Sequence, residues 1–344
     1  FKGGAAFTGL SALPHVAGMI TNLEGDLSLV DRMYDALFGE QRRRQELLRA
    51  AGALASVHDY QKLRATGADL QPLPSLLIIV DEFAELLTAK PDFIDLFVSV
   101  GRLGRSLGMH LLLSSQRLEE GRLRGLESHI RYRIGLRTFS AQDSRAVLGV
   151  QDAYELPSEP GVGYLKVDTT TFTRFKGALI SVPYTAPNGR EPNTGSDRSV
   201  LDVVVSQLSN APRVHQVWLP PLEPVTTLDQ LLPGLTVDPQ RGLTTPGWHG
   251  VGRLVVPVGV VDRPAEQRRG VVEIDAAGAS GNLVVAGAPQ TGKTTLLRTL
   301  VTAFALTHTP REAQFYCIDY GGGGLAVLEG LPHVGSVASR LEPD

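Results

Sequence analysis

Two stretches of the chain carry residue types and spacings that can do chemistry. In "GAPQTGKTT", Gly287, Gly292, Lys293 and Thr294 fit the pattern G-x-x-x-x-G-K-[ST]. At this spacing backbone N–H groups wrap a polyphosphate, the lysine meets the β- and γ-phosphates, and the hydroxyl holds magnesium. On that reading Gly287, Ala288, Pro289, Gln290, Thr291, Gly292, Lys293, Thr294 and Thr295 bind a nucleoside triphosphate, with Lys293 catalytic and Thr294 a ligand for Mg2+. The second stretch is "LLIIVDEF", five apolar residues from Leu76 to Val80 followed by two acids. At the end of a parallel strand Asp81 would hold magnesium and Glu82 would orient and deprotonate an attacking water. Gln116, closing the next apolar run "MHLLLSSQ", is placed to bond that water or the γ-phosphate.

The order of these stretches is unusual, because the acids come about two hundred residues before the loop they should serve. An internal repeat accounts for it. The first 26 residues, "FKGGAAFTGLSALPHVAGMITNLEGD", align with the last 25, "YGGGGLAVLEGLPHVGSVASRLEPD", with one single-residue gap. Gly3-Gly4 matches Gly322-Gly323, "LPHV" at Leu13 recurs 318 residues on at Leu331, and both stretches close on Leu-Glu-x-Asp. A period of that length fits a whole domain with its linker. The acids then belong to the end of one copy and the loop to the start of the next. The expectation is a fragment of a longer tandem protein, cut so that each copy is partial. Asp319, before the second glycine run, is expected to shape the domain.

The elements that position these residues follow from spacing. Apolar residues at helical intervals predict a helix over Ser28–Ala51, whose run "EQRRRQELLR" is expected on its solvated face. Leu76–Val80 and Met109–Gln116 read as strands buried on both faces, with a helix over Phe93–Leu107 between them. "RIGLRTF" at Arg133–Phe139 reads as a further strand. Such alternation gives an α/β fold. "YTAPNGREPNTGSDR" from Tyr184 reads as an exposed linker, followed by a short helix over Val200–Leu208 and the proline-constrained "VWLPPL" at Val217–Leu222. An exposed Trp218 is unfavourable, so this segment is expected to dock on the first domain, either restraining it or serving as a strap. The second unit begins near Leu243, and "GNLVVAGAPQTGKTTLLRTLVTAFAL" reads strand, loop, helix. The domains expected are 1–183, a linker 184–242, and 243–344.

Composition excludes several classes. With 344 residues, 42% apolar and 20% charged, the chain supports a large core and is not disordered as a whole. A lone Cys317 gives no disulfide framework, and a small buried residue is expected there. No apolar run is long enough to cross a bilayer, although the absence of an initial methionine leaves room for an anchor upstream. The net charge of −3 gives no overall attraction to nucleic acid. The eight histidines have no metal-ligand spacing. Arginines placed to reach a neighbouring subunit's nucleotide are Arg133, Arg137 and, favoured for its apolar surroundings near a helix start, Arg32.

Beyond single motifs, "SLLIIVDEFAELL", "VGRLGRSLGMHLLLSSQRLEEGRLRGLESHIRYRIGLRTFSAQDSRAVLG", "GAPQTGKTTLLRTL", "HTPREAQFYCIDYGGGGLAVLEGLPHVG" and "VWLPPL" resemble the EccC ATPases of actinobacterial type VII (ESX) secretion systems, members of the FtsK/SpoIIIE translocases. That resemblance implies tandem RecA-like P-loop ATPase domains, ATP and Mg2+ as cofactors, and a membrane-anchored parent acting on the cytoplasmic side of the cell membrane. Implied partners are secreted WXG100-class helical proteins, other ESX membrane-complex subunits and further copies of itself, hexameric in the parent. Lys293 and Thr294 match the Walker A positions, and Asp81 and Glu82 the Walker B positions. The alternative is an FtsK-like DNA translocase, against which stand the acidic balance and the lack of a DNA-reading module.

Overall fold

The computed structural model describes residues 5–21, 26–118, 125–168, 170–184, 198–277 and 281–340. Much of the repeat, including Gly3-Gly4 and both Leu-Glu-x-Asp closures apart from Asp26, and most of the linker from Tyr184 lie outside the described residues. The chain forms two compact units. The first comprises Phe1–Leu219 with the turn Pro264–Gln267, and the second Pro220–Arg263 with Arg268–Asp344.

In the first unit, a short α1 (Ala5–Thr8) precedes α2 (Leu27–Ala50), which starts where the Asp26 side chain accepts the Ser28 N–H. Helix α3 (Val57–Ala65) begins at Ser56, whose hydroxyl accepts the Asp59 N–H. Strand β1 (Leu76–Val80) then leads through α4 (Phe83–Ala89) and α5 (Phe93–Leu107) to β2 (Met109–Leu113). The two strands pair in parallel, from Leu76 opposite Met109 to Val80 opposite Leu113. Helix α5 carries phenylalanines, leucines and Val100 on one face and stops at Gly108 with φ +64, a left-handed stop that favours glycine. That face meets Ile78, Met109, Val30, Leu48 and Tyr60 in the main core.

Two expectations fail in this unit. The strands are covered on one face only: Leu77, Ile79 and Leu112 are about half exposed, at 52%, 48% and 47%. The run "EQRRRQELLR" is not a solvated face, because Glu40, Gln41 and Arg44 are buried. Arg44 donates to Glu40 Oε1 at 2.7 Å, to the Leu107 carbonyl at 2.8 Å and to the Pro74 carbonyl at 2.8 Å. It thereby ties α2 to the end of α5 and the approach to β1. Glu40 also accepts from Arg43 and from Gln267 Nε2, the latter at 2.9 Å. A buried charge needs such pairing, and here each donor has a partner.

The same unit holds an antiparallel sheet of β3 (Arg133–Leu136), β4 (Val162–Lys166) and β5 (Phe172–Lys176), in that order. The strand expected at Arg133–Phe139 is present over Arg133–Leu136 and pairs antiparallel with β4. Helix α6 (Ala141–Leu148) packs Leu148 against Ala153, Leu156 and Val162, and α7 (Val200–Leu208) occupies the predicted span. The strap after α7 docks on this unit. Val217 and Trp218 both donate to the Ala17 carbonyl, and Val214 donates to that of Pro14. Trp218 lies where a Cβ on Gly18 would overlap it.

The second unit contains α8 (Leu228–Leu231), a hairpin of β6 (Thr236–Asp238) and β7 (Gly242–Thr244), and a longer antiparallel pair, β8 (Val255–Arg263) and β9 (Arg268–Asp275). Helix α9 (Lys293–Thr307) follows the glycine loop, and β10 (Phe315–Asp319) pairs in parallel with β11 (Val334–Ser339). Val256, Leu300, Ala303 and Phe304 form one core cluster, and Leu325, Leu328 and Val337 a second. The strand expected before the loop is not formed: residues 281–288 have no ladder partner, and Leu283 and Val284 are 51% and 89% exposed. A sheet strand needs neighbours to satisfy its N–H and C=O groups, and apolar content alone does not supply them. Cys317 is partly buried, which pushes its thiol up. Among the described residues no helix is long and apolar enough to cross a membrane.

Candidate functional site

The loop before α9 has the shape its glycines predict. Gln290 has φ +62 and Gly292 φ +92, so the chain turns through left-handed conformations just before the helix starts. Thr291 folds back on the loop, its hydroxyl donating to the Ala288 carbonyl at 2.8 Å. A Cβ on Gly287 would stand 2.5 Å from the Thr291 hydroxyl oxygen, so a side chain there would displace that hydroxyl from its place on the loop. Lys293, the first residue of α9, reaches back to donate to the Ala288 carbonyl at 2.7 Å. Its ammonium thus lies over the loop, on an oxygen that a phosphate oxygen can replace. Pro289 and Thr295 are exposed, and Thr294 exposes its side chain in the first helical turn. The N–H groups and dipole of a helix start suit an anion.

The acidic pair sits in the first unit at the ends of β1 and β2. Asp81 is exposed, and one of its oxygens accepts from the Ser114 hydroxyl at 2.9 Å. Glu82 has φ +56 and ψ +47, a left-handed conformation that costs a residue with a Cβ free energy and that clusters at functional sites. Its Oε1 accepts from the Ser115 hydroxyl at 2.8 Å and from the Gln116 N–H at 3.0 Å. Gln116 therefore reaches Glu82 through its backbone, and its side chain is exposed. Ser114 and Ser115 escaped sequence reasoning. The signal lay in register: with Val80 opposite Leu113, the residues after β2 must face the acids after β1.

Arg32 is elsewhere. Its guanidinium carbon lies 4.2 Å from the Trp218 ring centroid, and Nη1 donates to the Leu219 carbonyl at 2.6 Å. Arg133 makes long contacts of 3.5 Å to the Val147 and Glu127 carbonyls, and Arg137 is exposed. The structure thus groups Asp81, Glu82 and Gln116 in one unit and Gly287 to Thr295 in the other, with Arg32 holding the strap.

The residues suit magnesium rather than a metal held entirely by protein. Among the described residues no group of three or more His, Cys, Asp or Glu converges. Magnesium bound with a nucleotide takes one or two protein oxygens and draws the rest from phosphates and water. The exposed Thr294 hydroxyl beside the anion loop, and the Asp81 carboxylate, are donors of that kind.

The sequence profile of the FtsK/SpoIIIE family matches residues 1–120 and 253–344. The ESX secretion system protein EccC of Thermomonospora curvata is 55% identical across 100% of this chain, which spans 29% of that relative's length. The ESX-4 secretion system protein EccC4 of Mycobacterium tuberculosis is 49% identical, with the same coverage of each chain. Among solved structures, the cytoplasmic domain of the Thermomonospora curvata type VII secretion ATPase EccC superposes with a TM-score of 0.93 at 59% identity, covering 100% of this chain and 39% of that one. A second structure of that organism's EccC, ATPases 2 and 3 in complex with a signal sequence peptide, superposes with a TM-score of 0.59 at 20% identity, over 98% of this chain and 55% of that one, and shares the fold. The fold is thus that of FtsK-type P-loop ATPase domains.

Proposed function

Because the chain belongs to the FtsK/SpoIIIE family, we propose that it is a section of an EccC-type ATPase motor that uses ATP and Mg2+ to export small helical WXG100-class proteins. The observation that carries this reading is the glycine loop before α9, with Lys293 folded over it, which forms a ready cradle for a polyphosphate. The two separate stretches matched by the family profile support tandem domains, 1–183 and 243–344, joined by the linker 184–242. An open groove of about 510 Å³ beside α9 and β10 is lined by Leu283, Leu297, Phe304 and Ile318.

In this mechanism each domain combines a loop with acids of its own copy. Lys293 exchanges the Ala288 carbonyl for β- and γ-phosphate oxygens, and the Thr294 hydroxyl serves magnesium at the second domain's site. Asp81 is the magnesium-side carboxylate of the first. The ion, when bound, neutralises charge on the β- and γ-phosphates. Glu82, steadied by Ser115 and the Gln116 N–H, takes the proton of the water that attacks the γ-phosphorus. The Gln116 side chain lies free to orient that water. Since the loop and the acids serve different domains, the isolated chain is expected to turn over very little ATP.

The partners in this reading are WXG100-class proteins recognised through a signal peptide, other subunits of an ESX membrane complex, and further copies in a hexamer. The place of work is the cytoplasmic face of the cell membrane. The test is ATP turnover by the full-length protein with and without magnesium. Turnover should require magnesium and fall at least roughly 100-fold in the first domain's share on Glu82→Gln, a loss in the range that removal of a general base gives. Magnesium-independent turnover, or turnover indifferent to that change, overturns the reading, and salt-sensitive binding of duplex DNA would favour a DNA translocase.

A further inference from the structure

Asp319 ends β10 with its carboxylate turned back onto the following turn. One oxygen accepts the Leu325 N–H at 2.9 Å and the other the Gly321 N–H at 2.7 Å. The residue is only 7% exposed. These bonds, that from Leu325 foremost, hold the carboxyl below the usual carboxylate range. Between the two donors Gly322 and Gly323 have φ +112 and +83, which side chains resist. The glycine turn is thus clamped at both ends by one side chain.

Gly324 is a glycine for a different reason. Its φ lies outside the left-handed region, so the backbone itself would accept alanine, yet a Cβ there would stand 2.8 Å from Cγ2 of Thr294. The turn therefore bears on the methyl group of the residue whose hydroxyl faces the phosphate site. Threonine is branched at Cβ, so methyl and hydroxyl rotate together about χ1. A contact that fixes one fixes the other.

We propose that the glycine turn 321–324, anchored by Asp319, is a positioning element of the phosphate site: by contact with the Thr294 methyl it sets the direction in which the Thr294 hydroxyl meets magnesium bound with a nucleoside triphosphate. Asp319 is the positioning residue, acting through the turn and touching neither nucleotide nor metal. The inference rests on the assignment of Thr294 in the proposed function.

The experiment measures binding of a fluorescent N-methylanthraniloyl ATP to the 344-residue chain, which carries one G-x-x-x-x-G-K-[ST] loop, in EDTA and in magnesium. Wild type should bind in EDTA and more tightly in magnesium. Gly324→Ala should bind within about twofold of wild type in EDTA and lose most of the magnesium enhancement, since only the hydroxyl's direction has changed. Adding Thr294→Ser should recover the enhancement seen in Thr294→Ser alone, because serine keeps the hydroxyl and lacks Cγ2. Asp319→Asn should lose the enhancement in the presence of the Thr294 methyl and should have no further effect in Thr294→Ser, which lacks the group through which the turn acts. The proposal is overturned if Gly324→Ala keeps the full enhancement, if the double variant is not rescued, or if wild type binds equally in both conditions. A wild type that binds no nucleotide in either condition overturns instead the phosphate-site reading on which the proposal rests.

Discussion

Arg32 lies with its guanidinium carbon 4.2 Å from the Trp218 ring centroid while donating to the carbonyl of the next residue, Leu219, so one side chain grips the strap by both face and backbone. The cation–π contact contributes about 1 kcal/mol and partial burial of the indole about 1–2 kcal/mol. Trp218→Ala should therefore destabilise the first unit by roughly 2–3 kcal/mol, read as a lowered urea midpoint by circular dichroism. An unchanged midpoint would show that the docked strap contributes no stability. Turnover by the full-length protein separates the two roles of the segment. A rise on Trp218→Ala means that the strap restrains the first domain, and unchanged turnover with lost stability leaves a purely structural strap.

The buried Glu40 gives the first unit a pH dependence whose sign can be worked out. Burial alone would raise its carboxyl, but the bonds from Arg43 and Gln267 and the charges of Arg43 and Arg44 outweigh that and leave it below the ordinary value of 4.5. A carboxyl lowered on folding stabilises fully above its unfolded value, and this contribution is lost as pH falls through the folded one. Glu40→Gln leaves Arg44 buried without its counter-charge and should cost about 3 kcal/mol at pH 7. The difference between wild type and variant should hold from pH 7 to about 5 and narrow below 4.5, measured by denaturant melts across that range. A difference constant down to pH 3 would sink the argument.

In the second unit the titrating group is a histidine. His308 is buried, its Nε2 accepts the Leu254 N–H at 3.0 Å, and its Nδ1 pairs with the Thr307 hydroxyl at 2.8 Å. An Nε2 that accepts must be unprotonated, so the folded state holds the neutral ring. Burial lowers its pKa from 6.5 accordingly. The stability it supports is complete above 6.5 and drains away as pH falls through the lowered folded value. Thermal melts should show this unit weakening from pH 7 to 5, with a flatter profile in His308→Gln, which has no proton to gain. Equal slopes in the two proteins would exclude His308 as the cause.

These two networks also mark where the sequence was hard to read. Helices such as α5 and α7 lie where the sequence predicts them, because helical spacing is a local signal. Glu40 and Arg44 sit in a run of charge that by itself looks solvated. Their burial depends on three distant groups, the carbonyls of Pro74 and Leu107 and the amide of Gln267, which only the tertiary fold delivers. The same holds for 281–288, where apolar residues form no strand without a neighbour to pair with. At the candidate site the loop and the acids were legible as motifs. Ser114, Ser115 and the approach of Gly324 to Thr294 were not, since they arise from strand register and from a turn closing on a helix start.

Lys293 allows the tandem reading to be tested domain by domain. In the folded chain its ammonium is exposed enough to bond only a loop carbonyl, and that bond contributes about 1 kcal/mol or less, so Lys293→Ala should leave the fold intact. On the proposed reading, the same ammonium would make charge-assisted bonds to two phosphates in a nucleotide complex, each worth about 1.5–3 kcal/mol. Losing both weakens binding by roughly 100-fold or more. Equilibrium dialysis of the full-length protein with a slowly hydrolysed ATP analogue should then show one binding site fewer, with the site that Asp81 and Glu82 serve still filled. Loss of binding at both sites would mean that loop and acids build a single site, and that the repeat does not separate two domains.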